Sequence, residues 1–158
     1  MTYRKKLVVT VAAVVLACVL IVRYLIYTRN STEEKADEKS REVVSSLIGA
    51  VSEARYEHIP QLTNSTDIIE AAKSAEKFDR HLRENGTSGV EGYTQEERDK
   101  HQFTSLNPDD MRVERLYDSR IVSVGEKSGS LRATFSVEEV DGRHVITNMN
   151  RGGGVAGL

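Results

Sequence analysis

The sequence predicts an α+β fold in which helices pack on a C-terminal antiparallel meander, preceded by an N-terminal transmembrane helix. Three observations predict it: an uncharged apolar run near the start, helical spacing of apolar residues in the middle, and strict alternation near the end. The 158 residues suffice for one domain and an anchor. The predicted parts are a cytoplasmic N-terminus at 1–6, a transmembrane helix at 7–28, a charged helical stalk at 29–42, an α+β domain at 43–150 and a flexible tail at 151–158.

The predicted anchor is the run LVVTVAAVVLACVLIVRYLIY, which begins at Leu7 and carries no charge through Val22. As a helix it would be about 31 Å long, close to the hydrocarbon thickness of a bilayer. Arg23 can extend its side chain to the headgroups. Tyr24 and Tyr27 lie where amphipathic rings are favoured, at the membrane–water interface.

The charges that flank this run predict its orientation. Arg4, Lys5 and Lys6 precede it, and an acid-rich segment follows Arg29. The excess of positive charge on cytoplasmic flanks predicts a single-pass protein of the cell membrane, with its N-terminus in the cytoplasm and its domain outside. Residues 1–30 contain five of the 22 basic residues of the chain and none of its 24 acidic residues, so residues 31–158 carry a net negative charge. Because negative charge repels phosphate groups, nucleic acid is not expected as a partner.

Two other interpretations of the N-terminus were weighed. A cleaved signal peptide needs a small-residue cleavage site before a polar mature start, and none is evident. Val15–Cys18 loosely resembles the signal for a lipidated cysteine, but the residues after Cys18 stay apolar, which favours a plain membrane helix. As the single cysteine, Cys18 also excludes an intrachain disulfide and a cysteine-based zinc site.

The middle of the chain predicts three further helices. Ser31 and Glu34 have capping-box spacing and open the charged stalk helix, whose later apolar residues recur at helical spacing until Pro60 stops the helix or marks the turn after it. A second helix begins at Ser65 or Thr66 and ends at Asn85-Gly86. A short third helix follows the capping box that begins at Thr94 and runs to about residue 101. The apolar stripe of the second helix consists of Ile68, Ala71, Ala72, Ala75, Phe78 and Leu82.

The last third predicts three antiparallel strands. Apolar residues alternate with polar ones from Leu131 to Val137, Asp141-Gly142 forms a hairpin turn, and a closing strand runs from residue 144 to 149. Residues 111–124 predict one strand with a bulge or a break near 118–120, because the apolar residues change face there.

This order of elements, ending in the segment Ser130–Ile146, resembles the nuclear transport factor 2-like (cystatin-related) domains over about residues 40–150. Where the closing strand of that family often carries Trp, this chain has His144 or Val145. Its membrane-anchored members include single-pass assembly proteins of type IV secretion (conjugation) systems and Mce-associated membrane proteins. The resemblance therefore implies a scaffold or assembly role.

The polar residues predict no catalytic, cofactor-binding or metal-binding site, and no cofactor is expected. His58, His81, His101 and His144 lack the spacing of a zinc motif. Asp109-Asp110 could bind a cation, but capping a turn is favoured. Three acidic residues would line the pocket of an enzyme of this fold, although solvent exposure is the default: Glu114, Glu138 and Glu139. Asn30, Asn64 and Asn85 each begin a glycosylation sequon, but roles as helix-cap and turn residues explain these sequences better than glycosylation does.

The leading hypothesis is a non-enzymatic assembly component of a bacterial envelope or secretion system. Its partners would be the lipid bilayer and other membrane or envelope proteins, and a homo-oligomer is left open. One alternative is a ligand-binding or enzymatic domain of the same fold, which predicts a deep cavity lined by convergent polar groups. Another is a eukaryotic type II membrane glycoprotein.

Overall fold

The computed structural model describes the backbone of residues 3–86, 94–129 and 132–151, and the side chains of these ranges from residue 15 onward. The chain forms two compact units, Met1–Ala36 and Asp37–Leu158. The predicted tail, apart from its first residue, lies outside the described residues.

Helix α1 runs from Tyr3 to Ser52 without interruption. The sequence-based prediction that a new helix opens at Ser31 is therefore wrong. The hydroxyl of Thr28 donates to the carbonyl of Leu25 at 3.0 Å, and the hydroxyl of Thr32 donates to the carbonyl of Thr28 at 2.9 Å. Both hydroxyls therefore bond to carbonyls of the preceding turn while the segment remains helical.

No helix in the part of the chain with described side chains has an apolar stretch long enough to cross a membrane. The predicted anchor begins at Leu7, and its side chains as far as residue 14 lie outside that part.

Three shorter helices follow α1 in the C-terminal unit. A 3₁₀ turn at Tyr56–His58 leads into α2, Ile59–Leu62, which has Pro60 in its first turn, where the missing amide costs nothing. Helix α3 spans Thr66–Asn85 and α4 spans Gln95–Thr104.

The predicted ends of α3 and the predicted start of α4 are confirmed, but α4 continues to Thr104, beyond its predicted end near residue 101. Ser65 is the N-cap of α3, and Gly86 closes the helix with a φ of 63°, which glycine adopts without strain. Thr94 is the N-cap of α4, where its hydroxyl accepts a hydrogen bond from the amide of Glu97 at 3.2 Å.

A four-stranded antiparallel sheet completes the unit, in the order β1-β2-β3-β4. Its strands are β1 Leu106–Leu116, β2 Ser119–Glu126, β3 Arg132–Val140 and β4 Arg143–Arg151. The α+β class and the antiparallel meander are thus confirmed, but the meander has four strands rather than three.

The extra strand arises because Tyr117-Asp118 forms a hairpin turn close to the point where the sequence predicted a bulge or a break within one strand. Leu116 pairs with Ser119 across this turn, and Tyr117 has a φ of 55°. A bulky residue seldom adopts a positive φ, so the composition gave no turn signal. At the second tip, Asp141-Gly142 forms the predicted turn, with φ values of 52° and 75° that fit a type I′ hairpin.

Both outer strands of the sheet are interrupted or covered. In β1 the register with β2 shifts between Leu106 and Met111, a stretch that contains Pro108, as is typical of edge strands. Next to β4, the hydroxyl of Thr63 and the amide of Asn64 both donate to the carbonyl of Ile146, at 2.7 and 3.2 Å.

The hydrophobic core lies between the helices and one face of the sheet. From β3 it takes the alternating residues that the sequence predicted, Ala133, Phe135 and Val137, each at most 1% exposed. The C-terminal part of α1, α3, α4 and the other strands supply most of the rest: Val44, Leu47, Ile48, Val51, Ile68, Ala72, Ala75, Phe103, Leu106, Val122, Val124 and Ile146. Apolar side chains therefore fill the space between the helices and the sheet.

The contacts of the C-terminal unit begin inside the stretch predicted as a stalk. The Nε of Arg120 donates to the carboxylate of Asp37 at 2.7 Å, and Ser40 is fully buried. From Asp37 onward, α1 therefore makes contacts within the C-terminal unit and is not surrounded by solvent on every side.

Candidate functional site

The N-terminal unit exposes apolar side chains around the whole circumference of α1. Every described residue from Val15 to Tyr27 is exposed, including the predicted anchor residues Val22, Arg23, Tyr24 and Tyr27. The large apolar side chains of this stretch are 50–73% exposed. A helix that is apolar on all sides needs an apolar environment, whereas an amphipathic helix needs it on one side only.

The remaining predicted anchor and topology residues, Arg4, Lys5, Lys6 and Leu7, belong to the backbone of α1. Their side chains lie outside the described residues. Cys18 is a free, exposed cysteine.

The C-terminal unit contains a polar cluster that the sequence did not predict. The Tyr56 hydroxyl donates to Oδ2 of Asp79 at 2.7 Å, and Nζ of Lys100 donates to Oδ1 of the same carboxylate. Asp79 is 8% exposed and occupies the position on the inner face of α3 that was assigned to Phe78, which is only half-buried. A buried carboxylate is tolerated because it is paired and hydrogen-bonded.

The electrostatics of this cluster favour a structural role over catalysis. Burial, reinforced by the hydrogen bond to Asp79, raises the pKa of Tyr56 far above its ordinary value. The phenol is therefore a neutral donor near pH 7 rather than an activated nucleophile. One signal could have predicted the cluster: Asp79 follows Ile68, Ala72 and Ala75 at helical spacing.

A shallow groove of about 280 Å³ lies beside this cluster, between the turn after α1 and α3. Its apolar wall includes Tyr56, Ile59 and Ala72, and its rim carries Glu76 and Arg83. Glu76 and Arg83 both make contacts within the chain. Glu76 forms an ion pair with Arg80 at 3.1 Å, and Nε of Arg83 donates to the main-chain carbonyl of Asp79 at 3.3 Å.

The polar residues weighed as pocket or metal ligands have structural contacts or lie at the surface. The side chain of Asn107, rather than that of Asp109, caps the turn, because it accepts a hydrogen bond from the amide of Asp109 at 3.1 Å. A carboxylate oxygen of Asp110 lies 3.7 Å from the guanidinium of Arg132. Glu114 is exposed on β1. In the described part of the chain, no three His, Cys, Asp or Glu side chains are arranged to hold a metal ion.

The four histidines are dispersed over the C-terminal unit. His58, His81 and His101 are exposed. His144 on β4 is half-buried, and its Nε2 is buried without a hydrogen-bond partner among the described residues. Burial lowers the pKa of His144, although Glu139 raises it; Arg120 and Lys39 lower it further.

A second surface feature lies at the tips of the two hairpins. Leu116–Ser119 lines an open depression of about 390 Å³ together with Glu138 and Glu139. Three large apolar side chains are exposed at these tips: Leu116, Tyr117 and Val140, at 48%, 91% and 39%. Sequence analysis missed this surface because it placed Tyr117 inside a strand.

Comparisons with protein-family models, with curated proteins and with solved structures return no match for this chain.

Proposed function

We propose that this chain is a single-pass membrane protein whose extracytoplasmic α+β domain is a non-enzymatic binding or assembly module. The observation that supports the anchor is the helix segment from Val15 to Tyr27, which is apolar apart from Arg23 and is exposed along its whole length. Continued N-terminally through the uncharged residues from Leu7, this segment is long enough to cross a bilayer.

The filled core supports a module that acts through its surface. A ligand-binding or enzymatic domain would have a cavity lined by convergent polar groups between its helices and its sheet. Between its helices and its sheet this chain has fully buried apolar side chains, among them Leu47, Val122 and Phe135. The grooves described above are shallow and open at the surface.

The order of the helices and strands supports a more specific proposal about the fold family and the role of the domain. Helices followed by an antiparallel meander support a nuclear transport factor 2-like domain, and hence an assembly role like that of the membrane-anchored members of that family. A bacterial envelope or secretion system is the setting we propose.

Fractionation and labelling test the membrane anchor and its orientation. In a Cys18→Ser background, a cysteine is introduced by Glu84→Cys on α3 or by Lys5→Cys before the apolar run. We expect the protein to stay in the membrane pellet after alkaline carbonate extraction. A membrane-impermeant maleimide should label the Glu84→Cys variant in intact cells and the Lys5→Cys variant only after lysis. Recovery in the soluble fraction, or the reverse labelling pattern, would refute the proposal.

The assembly role is tested by purification in a mild detergent from the native cells. We expect the chain to migrate with other membrane proteins, as a complex larger than its own mass. A lone monomer under these conditions would contradict the assembly role while leaving the anchor intact.

A further inference from the structure

We propose that the tips of the two hairpins form a docking surface for a basic segment of a partner protein. This surface consists of residues 116–119 and 138–143 and is called the tip surface below. The inference rests on the proposed function, since it names the class of partner that an assembly module would bind.

The apolar side chains of the tip surface are exposed, and the turn that carries them does not require apolar residues. Tyr117 is 91% exposed, and its φ of 55° is one that aromatic residues rarely adopt. Asn, Asp or Gly would suit this turn position better, and the exposed ring makes little contact within the chain that would offset the backbone strain. Leu116 lies beside it in β1 and is 48% exposed. Exposed tyrosines frequently contribute much of the binding energy in protein interfaces.

The charge of the tip surface determines which partner fits. Residues 116–119 and 138–143 contain four acidic side chains and one basic one, Arg143. Asp118, Glu138 and Glu139 line the same depression as Leu116 and Tyr117. Phosphates and anionic lipid headgroups would be repelled. A Lys or Arg side chain would lie between the tyrosine ring and the carboxylates, and so gain cation–π attraction and charge pairing.

A peptide titration of the full-length chain tests this docking surface. The chain, labelled with ¹⁵N in micelles of an uncharged detergent, is titrated with the amidated peptide Arg-Arg-Leu-Arg-Arg or with its glutamate counterpart. We expect amide shifts confined to residues 116–119 and 138–143, and only with the arginine peptide. Shifts spread evenly over the acidic residues of α3, or equal binding of both peptides, would overturn the inference.

Three variants and one control sharpen the test. Tyr117→Asn removes the ring but suits the positive φ, so the fold should be retained and any loss of binding is due to the ring. We expect this variant to bind the arginine peptide about fivefold more weakly. Asp118→Asn and Glu138→Gln should weaken binding in the same direction. The control Glu84→Gln, an exposed carboxylate on α3, should change the affinity less than about twofold.

Two results separate this inference from others. If wild-type chain self-associates in sedimentation and Tyr117→Asn abolishes that association, the occupant is a second copy and the basic partner is refuted. If the chain fractionates with membranes but the arginine peptide does not bind, the inference fails while the proposed anchor stands.

Discussion

At the scale of single residues, the buried polar groups distinguish this domain from a purely apolar core. Asp79 occupies a position on α3 that helical spacing assigns to an apolar side chain, and it is tolerated because Tyr56 and Lys100 each donate to one of its carboxylate oxygens. His144 is the opposite case, since its buried Nε2 has no partner among the described residues. Alkali should weaken the fold through Tyr56, whose pKa is raised, and acid should weaken it through His144, whose pKa is lowered.

Replacing Tyr56 with Phe removes one hydrogen bond to a buried carboxylate. We expect the Tyr56→Phe variant to lose about 1–2 kcal/mol of stability, measured by urea unfolding at pH 7. The control Tyr117→Phe, which removes a hydroxyl from an exposed ring, should be neutral. Because the pKa of Tyr56 is raised in the folded state, its contribution is complete below pH 10 and is lost as the pH rises further. A wild-type alkaline slope that persists in Tyr56→Phe would contradict this assignment.

Acid should destabilise the domain in part through His144. Its pKa is lowered in the folded state, so the unfolded chain binds more protons and stability falls as the pH drops below the ordinary value near 6.5. Arg120 on β2 and Lys39 on α1 oppose protonation, and Glu139 on β3 favours it only partly. We expect His144→Gln to flatten the stability profile between pH 7 and pH 5, measured by urea unfolding. An equal flattening in the exposed control His81→Gln would count against this residue.

At the scale of elements, local signals in the sequence predicted most boundaries. Thr94, Gly86 and Asp141-Gly142 each match a capping or turn geometry that the chain adopts. The first hairpin was not predictable in this way, because Tyr117 takes its positive φ through the pairing of β1 with β2 and not through its own preference. For the same reason the tip surface could not be predicted. The buried position of Asp79 was predictable, because this residue continues an apolar stripe at helical spacing.

The two N-caps of α3 and α4 offer a matched pair of substitutions. The Thr94 hydroxyl accepts a hydrogen bond from the amide of Glu97, whereas the Ser65 side chain makes no such cap bond. We expect Thr94→Ala to cost about 1 kcal/mol and Ser65→Ala only a few tenths, measured by chemical denaturation. Equal losses in the two variants would mean that the hydroxyl of Thr94 does not cap α4 in solution.

At the scale of the whole molecule, the division at Ala36/Asp37 separates an apolar helical segment from a unit with its own core. The sequence predicted an anchor and a domain but placed the start of the domain at residue 43. Its charge pattern could not reveal that Asp37 bonds to Arg120, because that contact joins residues 83 positions apart.

The C-terminal unit should fold without the apolar segment. We expect residues 37–158 to be soluble without detergent and to unfold cooperatively, as measured by circular dichroism on heating. A matched fragment that begins at residue 43 lacks Asp37 and Ser40, and it should melt several degrees lower because the contact of Asp37 with Arg120 and the buried side chain of Ser40 are lost. Equal melting temperatures would show that residues 37–42 contribute nothing to the unit.

The covered and interrupted outer strands of the sheet have a consequence for the behaviour of many copies at high concentration. A bare outer strand can pair with the same strand of a neighbour, and such pairing propagates into aggregates. Here the carbonyl of Ile146 on β4 already accepts hydrogen bonds from the Thr63 segment, and β1 contains Pro108, which has no amide to donate to a neighbour. At high concentration, two molecules could therefore form only a few hydrogen bonds between their outer strands, which lowers the risk of aggregation by strand pairing.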